Sequence, residues 1–61
     1  MGTQQYYDEL RRMSLAELRA ELQTELQALN EILASPPYED RGRQITETRE
    51  NIRVIKECMA R

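Results

Sequence analysis

Apolar residues fall along this chain in two stripes separated by a pair of prolines. The first stripe is a row of leucines, Leu15, Leu18, Leu22, Leu26, Leu29 and Leu33, spaced 3, 4, 4, 3 and 4. At about 100° per residue all six lie within about 80° of one another on a helix. So narrow a band is closer to a coiled-coil seam than to a helix buried on a broad face. The residues between the leucines are mostly Ala, Glu, Gln and Arg, which favour helix, and the spacing predicts one over 15–34. The second stripe is Ile45, Thr48, Ile52, Ile55 and Met59, spaced 3, 4, 3 and 4. That is a heptad a/d pattern with a polar gap at Thr48, and it predicts a helix over 43–60. Val54 falls away from this seam and Cys58 sits on its edge. An exposed valine is ordinary, so Val54 is expected at the surface and gives only weak support for a second contact surface.

Between the stripes stands Ser35-Pro36-Pro37. Each proline disfavours helix at the residue before it. Ser35 can end the first helix and cap the next, with Pro36 at the first helical position. Alternatively, Gly42 lets the loop run over 35–42. Either way the two runs fold back on each other. Upstream, Tyr6, Leu10 and Met13 recur at helical spacing and predict a short helical segment within 3–13. Ser14-Leu15-Ala16-Glu17 then has the Ser-x-x-Glu form of a capping box. The Ser14 hydroxyl would accept from the Glu17 N–H, and the Glu17 carboxylate would reach back to the Ser14 N–H.

These elements predict an all-α protein: one helical-hairpin domain over 1–61, coiled-coil-like and antiparallel, with a short N-terminal helical segment. Burying one stripe residue contributes about 1.5–3 kcal/mol, and ordering each residue of the chain costs about 1.5 kcal/mol. A lone hairpin therefore comes out near or below zero. The expectation is a hairpin completed by a partner, most simply a second copy in a four-helix arrangement. The partner interface is then the two seams themselves, Leu15, Leu18, Leu22, Leu26, Leu29, Leu33, Ile45, Ile52, Ile55 and Met59.

Charge divides the chain at the same place as the prolines. Residues 1–40 hold three basic and eight acidic side chains, and residues 41–61 hold six basic and three acidic, for a net charge of −2. Helices of opposite charge attract across their flanks. Arg49, Arg53 and Lys56 share one flank of the last helix within about 60°. They can pair with Glu21 and Glu25 across the hairpin, or contact phosphates or an acidic partner.

The chemistry of catalysis is sparse. There is no histidine, and the only glycines are Gly2 and Gly42, so no Cys-His dyad and no phosphate-binding loop can form. Glu21 and Glu25 lie one turn apart and read as a solvated face. No catalytic, metal or cofactor site is expected, no small-molecule substrate, and no enzyme activity. The single cysteine, Cys58, allows no disulfide within the chain and reads as a free, half-buried thiol. No apolar run approaches membrane-spanning length and no signal peptide is visible, so a cytoplasmic or nuclear setting is expected. Arg11-Arg12-Met13-Ser14 follows the substrate pattern of basophilic protein kinases, which makes Ser14 a candidate phosphosite as well as a cap.

The residues also resemble a known family. Glu9-Leu10-Arg11-Arg12-Met13-Ser14-Leu15-Ala16-Glu17-Leu18 is similar to the start of ribosomal large-subunit protein twenty-nine. Arg43 to Lys56 looks like that family's second helix, with Ile45, Arg49, Ile52, Ile55 and Lys56 matching its pattern. The resemblance covers most of residues 9–58. It implies an antiparallel hairpin that binds ribosomal RNA, with Arg49 and Lys56 as the carried-over contacts. Glu50 and Val54 stand where the family has arginine, and the chain is acidic where the family is basic. A looser likeness, in seam and helix length only, is to helical-hairpin effector domains of small GTPases. The leading expectation is a non-enzymatic oligomerisation or protein-interaction module. A ribosomal RNA-binding hairpin and an adaptor docking on another protein are the alternatives.

Overall fold

Ser14 starts the second of three helices, three residues after the first one ends. In the computed structural model, which describes residues 2–60, the chain forms three α-helices: α1 (Gly2–Arg11), α2 (Leu15–Ala34) and α3 (Arg41–Met59). The capping box is present in full. The Ser14 Oγ accepts from the Glu17 N–H at 3.2 Å, and the Glu17 Oε1 accepts from the Ser14 N–H at 2.9 Å. Two backbone donors that α2 would otherwise leave unpaired are satisfied, which fixes its first turn.

The far end of α2 is closed by a residue from the next helix. Arg41, the first residue of α3, donates from Nε to the Ile32 carbonyl at 3.3 Å and from Nη2 to the Leu33 carbonyl at 3.2 Å. A guanidinium placed on the last carbonyls of a helix meets both their lone pairs and the negative end of the helix dipole. Ser35 adds its own hydroxyl to the Ile32 carbonyl at 2.7 Å. It ends α2 and does not cap α3. The turn is therefore 35–40, two residues shorter than the 35–42 read from Gly42. Tyr38 is the reason the helix can begin early. Its carbonyl accepts from the Arg41 N–H at 3.2 Å, and its hydroxyl donates to the Gln44 Oε1 at 2.5 Å. Gly42 lies within the first turn of α3 with no left-handed backbone.

α2 and α3 pack on each other as the antiparallel hairpin, and α1 lies chiefly against α3. The described residues form an all-α fold. Its centre is α3, which contributes Thr48, Ile52, Val54 and Ile55 to the buried set, while α1 contributes Leu10 and α2 Leu18. Leu10 and Ile55 have no exposed surface at all, and with Leu18 and Val54 they make one cluster. Tyr6, Tyr7, Met13, Leu22, Cys58 and Met59 pack around it.

Val54 corrects the sequence reading. It is 6% exposed and belongs to the core. The heptad frame gives each helix one partner, whereas α3 has two. α1 covers the Val54 side, so the buried arc of α3 widens from a seam to about half its circumference. The whole is a slab of 36 × 24 × 13 Å, thin enough that every helix keeps a solvent-facing side.

Candidate functional site: an open leucine ridge

Exposure along the leucine stripe depends on angle around α2. Taking Leu18 as zero and about 100° per residue, Leu29 stands near 20°, Leu22 near 40°, Leu15 and Leu33 near 60° and Leu26 near 80°. Leu18 is 4% exposed and Leu22 and Leu29 are half-buried, but Leu15, Leu33 and Leu26 are 49%, 45% and 37% exposed. The hairpin covers one edge of the stripe and leaves the other open. Rotating from Leu18 the opposite way reaches Glu25, Ile32 and Glu21, all half-buried. The face that α2 turns to α3 is thus offset from its apolar stripe.

α1 and the polar groups beneath it account for the offset. The Asn51 Nδ2 donates to the Glu25 Oε1 at 3.0 Å, joining α3 to α2 on the side where α1 lies. The Tyr6 side chain from α1 reaches the same place. Its hydroxyl is enclosed without a well-formed hydrogen bond. Burial pushes its pKa above the ordinary tyrosine value, and the negative fields of Glu21 and Glu25 add to that. Beyond it Tyr6, Thr46, Glu47, Glu50, Asn51 and Val54 line an open cleft of about 370 Å³. On this side the two long helices are tied by polar groups, and on the other side the leucines stay uncovered.

The seam residues of α3 divide in the same way. Ile52 and Ile55 are consumed by the chain's own core, while Ile45 and Met59 are half-buried. From Ile52 toward the open side, Ile45 follows at about 20°, Lys56 at about 40° and Arg49 at about 60°. Lys56 and Arg49 are exposed and make no ion pair among the described residues. Arg53, further round, is paired instead with Glu50 and Glu57 of its own helix. That pairing holds the Glu50 carboxyl below its usual pKa and the Arg53 guanidinium above its own. None of the three cations pairs with Glu21 or Glu25.

Ser14 is exposed, with its hydroxyl engaged in the cap. Hydrogen bonding to Ser14, from its backbone N–H first and its side chain second, holds the Glu17 carboxyl below its ordinary value. The sign follows from linkage: a depressed carboxyl contributes stability that is complete above its unfolded value and is lost as pH falls through the folded one. Ser14→Ala should therefore lower stability by about 1 kcal/mol at neutral pH. It should also flatten the loss of helicity on acidification below pH 4.5. Urea titrations by circular dichroism at several pH values check this; equal midpoints for both proteins at neutral pH would refute it.

Cys58 is a free, half-buried thiol in a cleft of about 150 Å³ lined also by Leu10, Arg11, Met13 and Leu18. Among the described residues no group of three or more Cys, Asp or Glu could hold a metal ion, and no helix is long and apolar enough to cross a membrane. Two residues that shape the structure, Asn51 and Arg41, carry no strong signal in the sequence. Asn51 acts through Glu25, 26 residues away, and Arg41 reaches across the loop to the Ile32 and Leu33 carbonyls; the sequence offered only an off-seam polar residue and a cation near a turn. No protein-family model, curated protein or solved structure matches this chain. The fold and the surface define a small helical hairpin, buttressed on one side by a third helix and bearing an exposed leucine ridge on the other.

Proposed function

We propose that this protein is a non-enzymatic protein-interaction module and that the open ridge of Leu15, Leu26 and Leu33 is its working surface. The observation that supports this is the graded exposure across the leucine stripe. Three large aliphatic side chains share one edge of a helix over about 27 Å and stay exposed, although the chain has a core to bury them in. A contiguous apolar strip of that kind fits a helix-in-groove or coiled-coil contact.

A photo-crosslinking residue placed at Leu26 in the living cell tests the reading, with one at Thr24, on the far side of α2, as control. The Leu26 position should join the chain to a discrete polypeptide, and Leu15→Gln with Leu33→Gln should abolish that product. Equal products from both positions, or none from Leu26, would overturn it. A second reading is RNA contact through Arg49 and Lys56, favoured by their exposure and lack of ion pairs. It predicts instead that a crosslinker beside Arg49 joins the chain to RNA.

A further inference from the structure

The charges around the ridge identify the kind of helix that fits it. Along α2, the arc from Leu18 through the exposed leucines to about 120° contains only leucines, Arg19 and Asn30. Along α3, the arc from Ile52 outward over about 100° holds Ile45, Lys56, Gly42, Arg49, Ala60 and Arg53. No acid of either helix falls in these arcs, in a chain with eleven acidic residues. The bonds from Asn51 to Glu25 and from Arg41 to Ile32 set the axial register of the two helices. In that register Arg19 is level with Lys56 across the ridge, and Leu26 is level with Arg49. The ridge thus runs between Arg19 on one flank and Lys56 and Arg49 on the other. All three are exposed and lack an ion pair among the described residues.

We infer, resting on the interaction reading above, that the ridge receives an acidic amphipathic helix of another protein. Its apolar seam would lie on Leu15, Leu26 and Leu33 and its carboxylates would meet Arg19, Arg49 and Lys56. Opposite charges beside an apolar seam are how helix pairs choose partners, and like charges reject them. A second copy is the poorer fit. A two-fold axis along the hairpin puts Arg19 of each copy over the level of Lys56 in the other. A two-fold axis across it sets Arg49 and Lys56 against the same cations of the second copy. RNA would use the cations and leave the leucines in water.

The test uses the full chain and two synthetic helical peptides with one leucine seam, flanked in one by glutamate and in the other by lysine. Fluorescence anisotropy should show the glutamate peptide binding at least about tenfold tighter, with the difference shrinking as salt rises. Arg19→Glu, Arg49→Glu and Lys56→Glu together should reverse the preference while helix content is kept, since none of the three supports the fold. Equal affinity for both peptides, no binding of either, or a dimer at micromolar concentration that excludes both would overturn the inference. So would displacement of the glutamate peptide by single-stranded RNA. Leu26→Gln with Leu33→Gln separates the two proposals. If both peptides bind alike and this pair abolishes both, the ridge stands and its acidic partner falls. If the pair changes nothing, the ridge itself falls.

Discussion

Ile55→Ala should leave the chain largely unfolded at temperatures where the parent is helical. Ile55 is wholly buried at the meeting point of the three helices, in one cluster with Leu10, Leu18 and Val54. Truncating a buried isoleucine to alanine costs about 2–5 kcal/mol, because the transfer free energy is lost and the cavity does not fully collapse. A chain of this size has a total of about 3–9 kcal/mol to lose. The same change at half-buried Ile45 should cost about 1 kcal/mol, since less surface leaves water there. Thermal melts of both variants by circular dichroism decide the matter. Similar midpoints for the two would mean that the cluster is not the core.

Val54→Asp should detach α1 and leave the hairpin standing. A carboxylate at this buried position cannot stay there without a cost of several kcal/mol. The cheapest escape is to lift α1, which lies mainly on α3. Hydrogen exchange should then show α1 losing protection by two orders of magnitude or more while α2 and α3 keep much of theirs. Uniform loss along all three helices would instead mean that α1 and the hairpin are one cooperative unit. Unchanged protection of α1 would contradict the burial of Val54.

The two variants mark where sequence reasoning succeeded and where it failed. Local signals were fully legible. The Ser14–Glu17 box depends on residues three apart, and the all-α hairpin follows from two stripes and a proline break. Val54 was misplaced because the heptad frame assumes one partner per helix. The corrective signal was present: Tyr6, Leu10 and Met13 formed a third apolar row, and Val54 and Cys58 formed a matching row on α3, one turn apart. The leucine stripe was seen but its offset was not. Nothing local in Glu21 or Glu25 shows that Tyr6 and Asn51 will draw α3 toward them. Arg41 was legible only as a cation near a turn, because its reach to the Ile32 and Leu33 carbonyls depends on the path of the loop.

The way the core is sewn together bears on how the chain comes into being. Leu10 meets Val54 and Ile55, so residues separated by most of the chain must be present at once. A nascent polypeptide that has delivered only α1 and α2 holds Leu10 and Leu18 of the central cluster but neither Val54 nor Ile55. Its leucines and tyrosines are then all in water. Closure waits for the last turns of α3, and the reward for ordering the first two helices arrives only with them. During synthesis the hairpin passes through its most adhesive form just before α3 is complete.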